Sequence, residues 1–228
     1  MTWQAIAPRG RLVLVNGRRA HLVGFGQELA HWSLHRIPAD SRQPGHVLWC
    51  DGDHGFNPYD FAELNLERGH EAAAGAERLL VKRCMTAFQW DTVLTQQLED
   101  KLRHTATDLV IVSPFERLFV HEELRDWEQE DYVRFAASYL RGLAKRMDVP
   151  ILLCVDMARW WQTHPVLAQA TYEAVHERWS IDAPDGRWRA RDDVTGQVVD
   201  PWLRRQVTLV DYEDVAVPVL VRPWRPVA

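Results

Sequence analysis

The chain has 228 residues, of which 46% are hydrophobic and 26% are charged, as in an ordinary globular protein that buries a sizeable core. Its net charge of −5 excludes a global attraction to nucleic acid, so any DNA contact would need a local basic patch. The sequence contains no apolar run of 18 residues, and its three cysteines lie at or near the ends of apolar runs. We therefore expect a cytoplasmic protein with reduced thiols and no membrane contact.

The first segments of the chain are predicted to form a β-hairpin. Residues 11–15 and 18–23 are apolar or alternating, and the pair Asn16-Gly17 between them is a strong two-residue turn signal. We therefore expect an N-terminal hairpin within residues 1–23.

The next stretch is predicted to be a glycine turn followed by a helix over residues 28–36. An α/β nucleotide-binding protein has its phosphate loop at such a place, with a Lys for phosphate oxygens and a Ser or Thr for Mg²⁺. Here the turn at Gly24 and Gly26 is short, and Gln27 and Glu28 replace the Lys and the hydroxyl residue. Because Glu28 would place a carboxylate against a triphosphate, we expect a relict site that does not bind one.

Short apolar segments then alternate with helical patterns. Buried strands are predicted at residues 47–50, 79–84, 109–112 and 151–155, and helices at 60–67, 91–103 and 127–147. Strands that are apolar on both faces and separated by helices indicate a parallel sheet covered on both sides. The pattern after Asp156 changes, and further strands are predicted at 178–181, 187–191, 206–212 and 217–221. We expect one α/β domain over residues 1–228, with a C-terminal β extension over 178–228.

Several pieces of sequence occur in an order that carries a family resemblance: GQELAHWSL, VLWCDGDHGFNPYDF, LLVKRCMTAFQWDTVLTQQL, LVIVSPFERLF and VPILLCVDM. In this order they resemble the ATPase core of the RecA/RadA recombinase superfamily, and most closely its divergent recombinase paralogs. The resemblance implies a RecA-like P-loop NTPase core, a mainly parallel sheet with helices on both faces and antiparallel C-terminal strands. It also puts Asp53 at the position of the catalytic Glu, and Ser113 at that of the Mg²⁺-anchoring Asp.

These departures imply a pseudo-ATPase with degenerate Walker A and Walker B motifs. The relict catalytic positions are Gln27, Glu28, Asp53 and Ser113, and the relict nucleotide-binding positions are Gly24 and Gly26. We expect no catalysis, no cofactor and no bound metal. Two alternatives stay open: an ATPase with a remodelled nucleotide site, with Asp53 as general base, and a RecA-like regulatory scaffold in translesion mutagenesis or cell-division control.

Four acidic residues, Glu28, Asp51, Asp53 and Asp156, are predicted to meet at the carboxyl ends of the strands, where such folds bind ligands. They are interpreted as part of the relict site rather than as metal ligands. His31 and His35 have a spacing that can ligate zinc on a helix. No cysteine or further histidine motif completes that pair, so a partly exposed helix surface is the favoured interpretation.

The resemblance also implies a DNA-binding loop at Arg159, Trp160 and Trp161. Aromatic side chains can stack on unpaired bases, although the two tryptophans could instead pack into the fold or against a protein. Three arginines share one face of a predicted strand and form the local basic stripe: Arg187, Arg189 and Arg191.

The expected function is that of a non-hydrolysing accessory protein in DNA recombination or repair. Its expected partners are another repair or recombination protein and, secondarily, single-stranded DNA. The terminal segments that carry Trp3, Trp202 and Trp224 are the predicted protein-binding parts, because Trp often dominates binding energy. Because the resemblance starts near the beginning of the sequence, we expect no N-terminal polymerisation domain and no self-filament.

Overall fold

A computed structural model describes residues 6–35, 45–117, 119–120, 124–184 and 188–199. The strands are β1 (Leu12–Asn16), β2 (His46–Asp51), β3 (Leu79–Arg83), β4 (Thr107–Ser113), β5 (Ile151–Val155), β6 (Glu177–Asp182), β7 (Arg189–Asp192) and β8 (Val198–Val199). The α-helices are α1 (Arg19–His35), α2 (Pro58–Glu67), α3 (Ala87–Thr92), α4 (Leu98–His104), α5 (Asp126–Met147), α6 (Met157–Thr163) and α7 (Pro165–Ala174). A π-helical turn, Val93–Gln97, joins α3 to α4, and a short 3-10 helix, Ala76–Arg78, precedes β3.

The eight strands form one sheet in the order β3-β2-β4-β5-β1-β6-β7-β8. The six strands from β3 to β6 are parallel, and β7 and β8 are antiparallel additions beside β6. This arrangement confirms the predicted fold class, an α/β protein with a mainly parallel sheet and antiparallel strands at its C-terminal side. The layout is consistent with a RecA-like core.

Helices cover both faces of the sheet and create two hydrophobic cores. Helices α1 and α2 pack on one face, and helices α3 to α7 supply the core on the other. Leu12 and Leu14 of β1 enter one core, whereas Val13 and Val15 enter the other. The central strands are therefore buried on both sides, which explains their continuous apolar sequences.

The predicted N-terminal hairpin is wrong. Strand β1 pairs in parallel with β5 and β6, and α1 begins at Arg19, so residues 18–23 form no strand. Leu22, Phe25 and Leu29 recur at helical spacing and are all buried against the sheet. Only Gly17 and Arg18 separate the strand from the helix.

The predicted glycine turn is wrong as well, because Gly24 and Gly26 lie inside α1. Their role is close packing against two tryptophans. A Cβ atom at Gly24 would lie 2.9 Å from Trp188 Cζ2, and one at Gly26 would lie 2.7 Å from Trp49 Cη2. The two glycines thus let indole rings approach the helix.

Within the described residues, the other predicted strands and the long helix α5 are confirmed, as is the antiparallel pairing of β6 with β7. Several predictions lie outside the described residues: the strands at 206–212 and 217–221, Arg187, and the tryptophans at positions 3, 202 and 224. The three cysteines are buried and free. Within the described part of the chain, no helix is both long and apolar enough to cross a membrane.

Candidate functional site

Parallel strands end at one edge of a sheet, and here that edge carries a cavity of about 200 Å³. The cavity lies between the loop after β4 and the start of α6, with the first residue of α1 at its side. Its polar and aromatic lining includes Arg19, Glu116, Asp156, Arg159, Trp160 and His164. This position, outside the carboxyl ends of the strands, is where α/β folds bind ligands.

Hydrogen bonds fix the turn between β5 and α6 at the cavity. Asp156 caps α6, because its Oδ1 accepts a hydrogen bond from the Arg159 backbone N at 3.1 Å. Asn16, at the end of β1, accepts from the Met157 backbone N at 3.1 Å through its Oδ1. The Asp156 backbone N in turn donates to Glu116 Oε1 at 3.3 Å. Strands β1 and β5 are thereby joined to the loop after β4.

Glu116 is the electrostatically unusual group of this site. Burial raises the pKa of its carboxyl from 4.5 to about 7, and the carboxylates of Asp156 and Asp53 act in the same direction. Hydrogen bonds from the backbone at positions 116 and 156 oppose the increase. Its Oε2 is buried and has no hydrogen-bond partner among the described residues. Burial therefore favours the neutral, protonated form of the Glu116 carboxyl.

Asp53 is paired with a cation at this edge. The Arg19 guanidinium, at the start of α1, forms an ion pair with the Asp53 carboxylate, whose side chain is only 2% exposed. Asp51, at the end of β2, is fully buried and accepts hydrogen bonds from the backbone N atoms of Gly55 at 3.0 Å and Phe56 at 3.3 Å. Burial raises the pKa of Asp51, and those hydrogen bonds oppose the rise. Both carboxyls hold the loop after β2 in place.

Glu28 lies away from this edge, so the prediction that it belongs to the acidic cluster is wrong. Glu28 is nine residues beyond the start of α1, or about 14 Å along the helix axis. Its Oε1 lies 2.8 Å from Arg68 Nη2, and Gln27 Nε2 donates to the Asn57 carbonyl at 3.0 Å. Both side chains therefore contact residues that flank α2.

Ser113 ends β4 and lies beside the cavity. It is 2% exposed, and its carbonyl oxygen accepts a hydrogen bond from the Gly52 backbone N at 3.0 Å. A cis peptide bond joins it to Pro114, a residue that lines the cavity. With a neutral hydroxyl in place of a carboxylate, this position has no charge to anchor Mg²⁺.

The expected flexible DNA-binding loop is a helix, because Arg159, Trp160 and Trp161 belong to α6. Trp160 is 2% exposed and packs on Phe115, with ring centroids 6.2 Å apart. Its indole is therefore not accessible to a base. Trp161 is 39% exposed and contacts Tyr172, with ring centroids 6.4 Å apart.

Arg189 and Arg191 lie on β7, where both are exposed and Ala190 between them is buried. The two arginines therefore share the outer face of the strand, as the alternation predicted. Arg191 Nε lies 3.9 Å from Asp193 Oδ1, so part of this positive charge is locally balanced. Arg187 lies outside the described residues.

The expectation that no further histidine accompanies His31 and His35 is wrong. His70, three residues beyond the end of α2, lies against the pair, and one ligand atom from each of the three residues lies within 4.8 Å of the others. The ring centroids of His35 and His70 are 4.0 Å apart, and those of His31 and His35 are 4.5 Å apart. His31 is buried rather than partly exposed.

Two cavity residues were missed in the sequence. Arg19 was assigned to the second strand of the wrong hairpin, which hid its position at the start of a helix. Glu116 lies three residues beyond the end of the apolar strand β4. That spacing after a parallel strand indicates a position at the ligand-binding edge of the sheet. The sequence matches no protein-family model, and no curated protein is significantly similar to it.

Proposed function

We propose that this chain is a RecA-like protein that does not hydrolyse ATP and that acts as an accessory factor in DNA recombination or repair. The observation that carries the first part is the connection between β1 and α1. Only Gly17 and Arg18 lie between the two elements, so a loop long enough to surround phosphates is missing at this described edge. A phosphate loop needs several successive backbone N–H groups that point at the ligand.

The charges at the edge support the same proposal. Glu116, Asp53 and Asp156 lie close enough for the two aspartates to raise the pKa of Glu116. The Arg19 guanidinium is engaged by Asp53 instead of being available for a phosphate. A carboxylate such as that of Asp156 would repel a triphosphate placed beside it.

The order of motifs, which resembles that of the RecA/RadA superfamily, supports a role in recombination or repair. A protein of that layout without an ATP site would act through contacts with another repair or recombination protein, and secondarily with single-stranded DNA. Arg159 on α6, and Arg189 and Arg191 on β7, are exposed cations that would serve the second role.

Calorimetric titration of the full chain with ATP and Mg²⁺ tests the first part, and we expect no heat of binding. The double variant Gln27→Lys, Glu28→Thr, which restores the missing Walker A residue types, should also release no phosphate because both positions are buried inside α1. Micromolar ATP binding by the wild-type chain, or turnover by the double variant, would overturn this part of the proposal.

The accessory role is tested by adding the full chain to a purified recombinase that carries out ATP-dependent strand exchange. We expect a change in the rate or extent of exchange at equal ATP turnover, together with a complex of the two proteins in sedimentation. If the chain neither associates with the recombinase nor alters strand exchange, the proposed role in recombination is wrong. A regulatory scaffold would then be the leading alternative.

A further inference from the structure

The three histidines lie at a second location, away from the cavity. His31 is twelve residues beyond Arg19 on α1, a distance of about 18 Å along the helix axis. His31 and His35 are one turn apart on the same helical face, and the turn after α2 brings His70 against them. No step of the proposed function uses these residues, so their arrangement needs its own explanation.

The turn that carries His70 is held by the buried side chain of Asn65. Asn65 Nδ2 donates to the carbonyl oxygens of Ala72 at 2.9 Å and Ala74 at 3.1 Å, and the Asn65 carbonyl accepts from the His70 backbone N at 2.9 Å. Gly69, with φ of 78°, supplies the left-handed residue just before His70. The position of His70 is thus built by the fold.

One imidazole nitrogen of the cluster lacks a hydrogen-bond partner among the described residues. It is the Nε2 atom of His31, which is buried. His31 as a whole is only 7% exposed, whereas the His35 ring interacts with the Asn65 side chain and the Ala74 backbone. Buried polar atoms are nearly always satisfied by protein, water or an ion, so the free nitrogen of His31 points to a ligand.

We propose that His31, His35 and His70 form a binding site for a divalent transition-metal ion of the zinc type. Neutral imidazole is a common ligand of Zn²⁺, and three histidines with one open position form a known coordination set. His70 lies on the exposed side of the cluster, so the fourth position faces water or a ligand from a partner.

The imidazoles of His31 and His35 lie in surroundings that disfavour their charged forms. Burial, together with the charges of His35 and His70, lowers the pKa of His31 to about 3. Burial and His70 likewise lower the pKa of His35. Arg68, which also lowers the pKa of His31, is balanced by Glu28 at 2.8 Å.

The geometry needs a small adjustment. Zinc bonds to imidazole nitrogen are about 2.0–2.1 Å long, so tetrahedral ligands are roughly 3.4 Å apart and the present separations of up to 4.8 Å must shorten. His35 and His70 are stacked at an interplanar angle of 12°, and they would tilt so that their nitrogens converge. Rotation of the exposed His70 side chain can supply most of this movement.

The test uses the full chain after removal of metal with a chelator, titrated with Zn²⁺ by calorimetry against a competing chelator. We expect one Zn²⁺ per chain and a higher melting temperature with Zn²⁺. We also expect Co²⁺ to give the visible absorption of a tetrahedral site that includes nitrogen ligands. Loss of a residue that only hydrogen-bonds a metal ligand lowers metal affinity by about 10–100-fold. Because His70 would be a ligand itself, His70→Gln should lower the Zn²⁺ affinity by more than that.

His104→Gln is the matched control, because His104 is an exposed histidine at the end of α4 that pairs with Asp100. It should leave the stoichiometry, the affinity and the melting shift unchanged. His70→Gln is preferred to a change at buried His31, since it should keep the fold. The proposal is refuted if the wild-type chain binds no Zn²⁺, or if His70→Gln binds it as tightly as His104→Gln.

Discussion

Arg68 Nη2 lies 2.8 Å from Glu28 Oε1, so an ion pair joins the middle of α1 to the end of α2. The Glu28 side chain is 11% exposed and that of Arg68 is 25% exposed. Burial raises the pKa of Glu28, and the Arg68 charge and hydrogen bond oppose that rise. The residue that resembled a broken phosphate site is therefore part of the packing between two helices.

The first prediction concerns this ion pair. Arg68→Met should lower the free energy of unfolding by about 1–3 kcal/mol, because it leaves the Glu28 carboxyl buried without its partner. Urea denaturation at neutral pH measures the change. Arg134→Met, which breaks the exposed helical pair of Arg134 with Glu130, is the control and should cost only about 0.3–0.5 kcal/mol. Equal losses in the two variants would show that Glu28 is well solvated.

The second prediction distinguishes a helix from a glycine turn at Gly26. Alanine favours helix over glycine by about 1 kcal/mol, but its Cβ would lie 2.7 Å from Trp49 Cη2 in a closed core. Overpacking of this kind costs about 1–3 kcal/mol, so Gly26→Ala should be destabilising on balance. Thermal unfolding followed by circular dichroism measures it.

Gly142→Ala in α5 is the matched control for this prediction. The nearest atom to its new Cβ would be Arg146 Nη1 at 3.0 Å, the far end of a flexible side chain. That variant should gain about 0.5–1 kcal/mol. If Gly26→Ala were stabilising to the same extent, the close packing of Trp49 on α1 would be wrong.

The third prediction concerns pH. The folded-state pKa of Glu116 is about 7 against 4.5 for the unfolded chain, so the native state binds this proton more tightly. The protonated Glu116 carboxyl makes its full contribution to the free energy of unfolding in acid. That contribution is lost as the pH rises from about 4.5 to about 7. At about 1.4 kcal/mol for each pKa unit, and with allowance for partial solvent access, this amounts to roughly 2–3 kcal/mol.

Glu116→Gln removes this titration. The variant should therefore become more stable relative to the wild type, by roughly 2–3 kcal/mol, between about pH 4 and about pH 8. Denaturant curves at several pH values for both proteins give the difference, in which the contributions of Asp51 and Glu28 cancel. Glu130→Gln, on the exposed part of α5, is the control. A difference that does not vary with pH would contradict the placement of Glu116.

The fourth prediction concerns the two adjacent tryptophans of α6. Trp160→Ala should cost about 3–5 kcal/mol of stability, because it empties a buried site beside Phe115. Trp161→Ala should cost about 1 kcal/mol, the scale of one aromatic contact, with Tyr172. If the chain binds single-stranded DNA, Trp161→Ala should weaken that binding by about 1–3 kcal/mol.

The arginines provide an independent measure of the same binding. Replacing Arg189 and Arg191 by Ser should lower the slope of log affinity against log salt by roughly 0.7 for each phosphate contact that is lost. Fluorescence anisotropy with a labelled oligonucleotide over a salt series measures this. If the salt slope is unchanged in the arginine variant and the affinity is unchanged in Trp161→Ala, these residues do not bind DNA.

Much of the fold was determined by local sequence. Strands β2 to β5 were predictable because each is a short apolar run between polar segments, and a strand buried on both faces needs such a run. Helix α5 was predictable because its apolar residues recur at helical spacing over six turns. The alternation of these elements was sufficient for a mainly parallel α/β sheet.

The start of the chain shows where local signals fail. Asn16-Gly17 is a favourable hairpin turn, but β1 pairs with β5 and β6, which are far away in sequence. The glycines of α1 are explained by Trp49 and Trp188, residues that only the folded chain brings near. A local pattern carries no information about which distant strand or ring will become its neighbour.

The two candidate sites were decided by the tertiary structure for the same reason. Glu116 owes its raised pKa to burial and to the nearby Asp53 and Asp156, and these three residues lie in three different loops. His70 meets His31 and His35 only because α2 packs beside α1 and ends next to the second half of that helix. Sequence determines which chemical groups are present and which elements carry them. Distances between those groups depend on long-range packing, and distance governs both electrostatic interaction and metal coordination.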